Sequence, residues 1–278
     1  MLKQRILTAI AMLLVLLPAL FHSDIRLLAL LSLILIGAAS WEWARLNGSD
    51  PQFSILFGGG VALFCLLFLL FKLEAFLNTY FWLLVSGAWV LLSGYLLQGG
   101  QSKWLRTNQY LRMVIGPVIL ISAWLALYES KLMGTAYLLS ILLLVWVADV
   151  AAYFAGRQWG RHKLAPNISP GKSWEGLVGG ILGVFILALT WLSLDDVFPI
   201  LQGGIFQRLR LHGWLLFFFS ILFLTLMSVV GDLIESLIKR AAGAKDSSQL
   251  LPGHGGVLDR LDALLPVLPL AIMLTQYQ

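Results

Sequence analysis

Long apolar segments recur along almost the whole chain and are separated by short polar loops. An apolar helix of about 20 residues is long enough to cross the hydrocarbon core of a bilayer. The hydropathy pattern predicts nine such helices, at residues 6–21, 27–46, 55–71, 75–97, 111–128, 132–155, 174–194, 213–238 and 257–275. We therefore expect an all-α fold, in the form of a polytopic integral membrane protein.

Composition supports this fold class. The 278 residues have a mean hydropathy of +0.87 and are 12% charged, whereas soluble domains carry roughly a quarter charged residues. The single cysteine, Cys65, excludes an internal disulfide. The net charge is +5, but no basic patch interleaved with aromatic residues is present, which argues against nucleic acid as a partner. Anionic lipid and phosphate fit this charge better.

The basic residues are divided unequally between the two sides of the predicted bundle. The side of the N-terminus has 14 of the 19 Lys and Arg: Lys3, Arg5, Arg45, Lys103, Arg106, Arg112, Arg157, Arg161, Lys163, Lys172, Lys239, Arg240, Lys245 and Arg260. Basic residues are retained in the cytoplasm, so we expect a cytoplasmic N-terminus and an outside C-terminus. The charged loops 156–173 and 239–256 then face the cytoplasm.

Glycines inside the apolar segments indicate close helix–helix packing and not a ligand-binding site. Gly176 with Gly180, and Gly179 with Gly183, have the small-xxx-small spacing that lets two helices approach closely. The three glycines at 58–60 predict a loosened helix start.

Five acidic residues interrupt apolar segments, where carboxylates are costly and invite a functional explanation. Asp149 lies in the sixth predicted helix. Asp232 and Glu235 lie on one face of the eighth, and Asp259 and Asp262 begin the ninth. The predicted topology places all five at one level of the bilayer. Such a set suits Mg²⁺ shared with substrate phosphate; the alternative is a network of helix-end salt bridges.

Two loops could receive an anion. In the first, Ser169, Gly171, Lys172 and Ser173 precede a predicted helix start, with Glu175 in its first turn. Its GKS is not a P-loop, because Pro occupies position 166, where that motif requires glycine. An ordinary lysine-bearing loop at the membrane edge is equally compatible with this pattern.

The second loop lies between the last two predicted helices. Gly253, Gly255 and Gly256 would let backbone N–H groups approach phosphate. His254, between them, is either a phosphate contact or an interfacial hydrogen-bonding residue.

The run from Ser236 to Asp262, SLIKRAAGAKDSSQLLPGHGGVLDRLD, resembles the signature of the phosphatidate cytidylyltransferases, also called CDP-diglyceride synthases. Its fixed positions are S-x-x-K-R, K-D and H-G-G-x-x-D-R-x-D. The resemblance extends to Asp149, Tyr153, SPGKSWEG and Gly231-Asp232, and more loosely to AASWEW around Trp41 and Glu42. The first 130 residues are similar mainly in hydropathy and length.

The resemblance implies transfer of CMP from CTP to phosphatidic acid, giving CDP-diacylglycerol and pyrophosphate. It implies Asp232 and Asp259 as metal-bridging carboxylates, Mg²⁺ as cofactor with K⁺ as a candidate second cation, and a homodimer in the bacterial inner membrane. The site residues we expect are the following. Catalytic residues are Asp232, Lys239, Arg240, Lys245, Asp246, Asp259, Arg260 and Asp262; substrate-binding residues are Ser169, Gly171, Lys172, Ser173, Ser236, Gly253, His254, Gly255 and Gly256; metal ligands are Asp232, Asp259, Asp262, Asp149 and Glu175.

These expectations divide the chain into two regions. Residues 1–130 would supply packing, lipid access and dimer contacts, and residues 131–278 would hold the catalytic site. The alternatives are another CTP-dependent lipid enzyme, such as a polyprenol or phytol kinase or a CDP-archaeol-type synthase, and an ion transporter. A transporter would place acids near the bilayer midplane and show internal symmetry, and neither is visible in the sequence.

Overall fold

The fold is a bundle of α-helices, seen in a computed structural model that describes residues 2–276, with side chains at 7–73 and 76–276. The side chains of Lys3 and Arg5, counted above, lie outside that description. The helices are α1 (Leu2–Phe21), α2 (Ile25–Leu46), α3 (Pro51–Leu70), α4 (Thr79–Arg106), α5 (Gln109–Met133), α6 (Thr135–Trp159), α7 (Trp174–Leu194), α8 (Ile205–Leu211), α9 (Trp214–Ala241), α10 (Leu258–Leu261) and α11 (Leu264–Gln276). Short 3-10 turns occupy Leu73–Phe76 and Pro199–Leu201.

Capping side chains determine where several helices begin. Asp50 accepts a hydrogen bond from the Phe53 amide, with Pro51 at the first helical position, and Asn78 caps α4 in the same way. These caps satisfy amides that have no partner inside the helix. Hydropathy does not register polar caps, so α3 begins four residues before its predicted start at 55. In contrast, Ser173 caps α7 at the predicted position.

The membrane character of the fold is confirmed. Among the described residues, seven helices are long and apolar enough to cross a bilayer: α2, α3, α4, α5, α6, α7 and α9. In α1, the described part Leu7–Phe21 is a shorter apolar helix. The count of nine spans stays a prediction, as does the orientation of the termini.

Contacts between helix ends define two ends of the bundle. Thr8, near the start of α1, donates to the Pro252 carbonyl at 2.9 Å, so α1 begins beside the 241–257 loop. At the other end, Gln276 hydrogen bonds to Glu129 near the end of α5, and Lys131 donates to the Leu20 carbonyl at the end of α1. The start of α1 and the end of α11 therefore lie at opposite ends. We call the end that contains Pro252 the site end.

The prediction that the ninth helix is one continuous element is wrong. It is divided into α10 and α11 around Asp262 and Ala263. Pro266 lies four residues after Asp262, and a proline ring clashes with the carbonyl four residues before it and donates no amide hydrogen bond. After this break α11 occupies the centre of the bundle, in contact with α4, α5, α6, α8 and α9.

Two small elements were not predicted. An antiparallel hairpin of β1 (Lys163–Ala165) and β2 (Ser169–Ser173) connects α6 to α7, with a bulge between Lys163 and Ala165. The seven-residue α8 packs its fully buried Ile205, Phe206 and Leu209 against the bundle. Both segments are too short to give a hydropathy signal of their own.

Close packing at the glycine pairs is confirmed. A Cβ added at Gly180 would lie 2.9 Å from the Ala148 carbonyl, and one at Gly183 would lie 2.6 Å from the Ala151 Cβ. Helices α6 and α7 therefore pack through small residues. The loosened helix start predicted at 58–60 is wrong: these glycines lie inside the continuous α3, where Gly58 contacts the α2 backbone.

Candidate active site

A cavity of about 460 Å³ lies at the site end, between α6, β2, α7 and α9. Its lining combines acidic, basic and small residues: Asp149, Ala152, Tyr153, Gly156, Arg157, Leu164, Ser169, Gly171, Lys172, Ser173, Gly176, Leu177, Val229 and Asp232. The cavity brings the predicted anion loop next to two of the five acids. It can accept a group that is anionic at one end and apolar at the other.

Asp232 is at the centre of the polar lining. Lys172 from β2 forms an ion pair with its Oδ2 at 2.6 Å, with both side chains partly exposed. Ser236, one helical turn along α9, donates to its Oδ1 at 3.2 Å. Asp149 on α6 is close enough to Lys172 and Asp232 for their charges to interact. Carboxylates of two helices and a lysine of the hairpin therefore meet in this cavity.

A second charged group lies one to two turns further along α9. Lys239 is buried and contacts two carboxylates, Glu235 Oε2 and Asp259 Oδ1, each at 2.5 Å. The Glu235 pair follows the i, i+4 spacing of a helix face. The Asp259 pair joins α9 to α10, so this lysine neutralises acids from two elements.

The other oxygen of Asp259 is held by the loop that precedes it. Asp259 Oδ2 accepts from the Ser247 amide and hydroxyl, both at 2.9 Å, and from the Gly256 amide at 2.7 Å. Burial alone would raise the pKa of Asp259. The hydrogen bond from Lys239 and the backbone donors outweigh that effect and lower the pKa to about 2. Asp259 is therefore a carboxylate that stays ionised in a fixed orientation.

Asp262 interacts electrostatically with both charged groups, the one around Asp232 and the one around Lys239. Gly231 of α9 packs so tightly against the Asp262 backbone and Pro266 that a Cβ would collide with both. Burial raises the pKa of Asp262, and the charges of Asp232 and Asp149 raise it further. The structure therefore brings the five predicted acids together at one end of the bundle. Three of them, Asp149, Asp232 and Asp262, repel each other through their like charges. A cation would relieve that repulsion.

Glu42 is the site residue that the sequence analysis did not assign. It lies on α2, is fully buried, and accepts from the Ser247 hydroxyl at 3.2 Å, the Ser248 hydroxyl at 2.5 Å, the Val257 amide at 3.0 Å and the Leu258 amide at 2.7 Å. The sequence gives only a weak indication of it, a glutamate between two tryptophans in an apolar helix. The partners lie more than 200 positions away, so no local pattern connects them to it.

All four residues of the predicted anion loop line the cavity, one of them with its hydroxyl already engaged. Ser169, Gly171 and Lys172 line it. The Ser173 hydroxyl also lines it but is used as the cap of α7, accepting from the Gly176 amide at 3.1 Å. Glu175 is not among the described residues that line the cavity. Its carboxylate accepts from the Arg161 and His162 amides and contacts His162 Nδ1 at 2.6 Å, which fixes the hairpin to α7.

Several predicted residues lie around the loop between α9 and α10. Lys245, Asp246, Gly253 and Arg260 are exposed, whereas His254 and Gly255 are partly buried and Gly256 is buried. Arg240 donates to the Ala244 carbonyl at 3.1 Å, closing the end of α9. The loop folds back on itself through paired Leu251 and Gly255, with left-handed backbone at Gly253 and Gly255. The exposed cations can meet a ligand that arrives from water.

The chemistry of these donors fits a hard cation. Among the described residues, no three His, Cys, Asp or Glu side chains form a metal cage by themselves. Mg²⁺ does not require such a cage, because it commonly binds one or two protein carboxylates and completes its shell with water and substrate phosphate. The aspartates grouped here supply ligands of that type.

Comparison with known proteins assigns the family. Residues 3–278 match the model of the cytidylyltransferase family. The chain is 37% identical over 272 residues to a phosphatidate cytidylyltransferase of Pseudomonas aeruginosa, covering 97% of this chain and 95% of that protein. It is 43% identical over 136 residues to a phosphatidate cytidylyltransferase of Haemophilus influenzae, covering 49% of this chain and 44% of that protein.

A phosphatidate cytidylyltransferase of Staphylococcus saprophyticus is 43% identical over 144 residues, which are 52% of this chain and 50% of that protein. The resemblance carried by the run from Ser236 to Asp262 is therefore confirmed by a family match over residues 3–278 and by a relative that covers 97% of the chain. The membrane bundle and its charged site end belong to a member of the cytidylyltransferase family.

Proposed function

We propose that this protein transfers CMP from CTP to phosphatidate, giving CDP-diacylglycerol and pyrophosphate. The observation that carries the proposal is the cavity at the site end, in which Asp149, Asp232 and Lys172 meet beside an apolar wall. The name of the Pseudomonas aeruginosa relative, aligned over nearly the whole chain, supports the choice of substrates.

The reaction needs placement and charge neutralisation more than acid–base chemistry. A phosphate oxygen of phosphatidate attacks the α-phosphorus of CTP. The bond from that phosphorus to the oxygen bridging to the β-phosphate breaks, and pyrophosphate leaves with the bond's electrons. The attacking phosphate is already anionic, so no strong base is required. Fixed cations stabilise the charge that develops on the leaving group.

The lysines and arginines have distinct places in this scheme. Lys172 lies in the cavity and would bind phosphate there. Lys239 is buried between two acids and would hold Asp259 in position. The exposed Lys245 and Arg260, with Arg240 at the end of α9, would attract the triphosphate from water. His254 and the backbone amides of 253–256 would complete the phosphate contacts.

Asp232, Asp259, Asp262 and Asp149 would hold Mg²⁺ together with the triphosphate. Bound there, the ion would offset negative charge on the phosphates and orient them. Both oxygens of Asp259 are already engaged, Oδ2 by three hydrogen bonds and Oδ1 by Lys239, so this carboxylate would meet the ion in a fixed position. Glu175 is engaged by His162, so we assign it to positioning the hairpin. A second cation such as K⁺, and the homodimer implied by the resemblance, stay predictions.

The location of the site suits both reactants. Phosphatidate tails would remain in lipid while CTP arrives from water at the site end, which we place on the cytoplasmic face of the bacterial inner membrane. The bias of basic residues towards that end supports this orientation.

The test uses purified protein, phosphatidate in detergent micelles, Mg²⁺, and CTP labelled at either the α- or the γ-phosphate. We expect the α-label in the lipid product and the γ-label in pyrophosphate. Label transferred from the γ-position to lipid would indicate a kinase and contradict the proposal.

Variants test the assigned acids in the same assay. Asp232→Asn and Asp259→Ala should each lower turnover by at least about 100-fold. The matched control is Asp24→Asn, which keeps a side chain able to cap α2 at the opposite end of the bundle, and its turnover should be unchanged. Near-normal turnover in either site variant would show that the substituted aspartate is not the metal ligand proposed here.

A further inference from the structure

Glu42 is a carboxylate without any exposed surface, in the region 1–130, which was expected to supply packing, lipid access and dimer contacts. Removing an ionised carboxylate from water is costly unless hydrogen bonds replace its hydration. Here two hydroxyl groups and two amides do so, and all four belong to the segment 247–258. The cost of burial is therefore offset by one loop, and that loop is fixed to α2.

The same loop holds Asp259. The Ser247 hydroxyl lies 3.2 Å from Glu42 Oε2 and 2.9 Å from Asp259 Oδ2. A hydroxyl has a single proton to donate, so Glu42 and Asp259 share the one proton of Ser247. Gly256 donates its amide to Asp259, and a Cβ at this position would lie 2.1 Å from Ser247 Oγ and 2.2 Å from Glu42 Oε1. These residues pack without spare volume.

We propose that Glu42 is a positioning residue, which fixes the 247–258 loop and thereby orients Asp259 towards the divalent cation and the CTP phosphates. The inference rests on the proposed function for the identity of the ligand. It gives α2 a direct part in the site, through a contact that spans the two halves of the chain. Residues that orient metal ligands through hydrogen bonds typically change metal affinity by about 10–100-fold when they are substituted.

The perturbation is Glu42→Gln, which keeps the shape but removes the charge and one acceptor oxygen. Its NH₂ group would face donors that now point at Glu42, so at least one of these contacts becomes repulsive. The matched control is Glu129→Gln, the same chemical change at the opposite end of the bundle, where the carboxylate accepts from Trp82 and Gln276.

The first measurement is hydrogen exchange of the purified, metal-free protein in detergent. Peptides that contain the Val257 and Leu258 amides should exchange at least tenfold faster in Glu42→Gln than in the wild type. They should exchange at the wild-type rate in Glu129→Gln. This measurement involves neither CTP nor turnover, so its outcome does not depend on the proposed reaction.

The second measurement is the affinity for Mn²⁺, used as a paramagnetic probe of the divalent site and followed by electron paramagnetic resonance. Glu42→Gln should weaken Mn²⁺ binding by about 10–100-fold, and Glu129→Gln should not change it. The Mg²⁺ concentration that gives half-maximal CDP-lipid synthesis should rise in parallel, while the KM for phosphatidate stays at the wild-type value.

If Glu42→Gln does not fold, the milder variant Ser248→Ala tests the same positioning role of Glu42. It removes one donor to Glu42 and should weaken Mn²⁺ binding roughly fivefold, the size of one net hydrogen bond. Wild-type exchange and wild-type Mn²⁺ affinity in the folded variant would overturn the proposal, as would an equal change in Glu129→Gln. Absence of CDP-lipid synthesis by the wild type, with the exchange and Mn²⁺ effects intact, would overturn the proposed function alone.

Discussion

Replacing Lys239 by glutamine is the substitution with the clearest energetic consequence. The ammonium group is buried between Glu235 and Asp259, whose side chains are 4% and 6% exposed. Removing one partner of a buried ion pair typically destabilises a protein by about 3–5 kcal/mol, because the remaining charge is left uncompensated. In Lys239→Gln two carboxylates lose their common cation and repel each other. We therefore expect the upper part of that range.

The loss can be measured as a change in apparent melting temperature in detergent. One kcal/mol corresponds to about 2–4 °C for chains of roughly 150–250 residues, so Lys239→Gln should melt at least about 8 °C below the wild type. The control is Lys72→Gln, the same change at an exposed lysine beyond the end of α3, which should melt within about 1 °C of the wild type.

Added Mg²⁺ distinguishes a general packing defect from loss of charge compensation. A cation that binds the folded state stabilises it in proportion to its occupancy. Since Lys239→Gln leaves two acids without their cation, Mg²⁺ should raise its melting temperature more than that of the wild type. A melting temperature within about 2 °C of the wild type, or no additional effect of Mg²⁺, would refute this reasoning.

Two further substitutions test the packing and charge of the site. Gly256→Ala should abolish CDP-lipid synthesis, because the new methyl group would overlap Ser247 and Glu42. The control Gly59→Ala, with no atom within 4 Å of its Cβ position, should be active at the wild-type level. An active Gly256→Ala protein would show that the loop is not held as described. Lys172→Gln should raise the KM for phosphatidate by at least about tenfold, since a charge-assisted hydrogen bond contributes about 1.5–3 kcal/mol. An unchanged KM in steady-state kinetics would show that Lys172 does not bind the lipid phosphate.

Much of the bundle is visible in the sequence because the membrane imposes length and polarity on each spanning helix. The predicted 174–194 coincides with α7, and the other long helices are recovered within five residues of their ends, except that α4 continues to Arg106, nine residues past the predicted end at 97. The break at Asp262 was missed although Pro266 was visible. Hydropathy averages over a window, and a proline among leucines does not lower that average enough to divide a segment.

The site was predictable where its residues are close in sequence. Helical spacing placed Asp232, Glu235 and Lys239 on one face of α9, and the structure shows Lys239 contacting Glu235. Contacts between distant elements were not predictable. The pairing of Lys172 with Asp232 depends on a short hairpin that hydropathy cannot detect. Glu42 depends on a loop more than 200 residues away.

Crystals of the protein grown with Mn²⁺ and CTP provide the most direct test of a shared divalent site. An anomalous difference map should show a manganese peak bonded to oxygens of Asp232 and Asp259 and to phosphate oxygens of CTP, at about 2.0–2.2 Å as expected for a small divalent ion. A map with CTP bound at the site end but no peak next to these two aspartates would contradict the account.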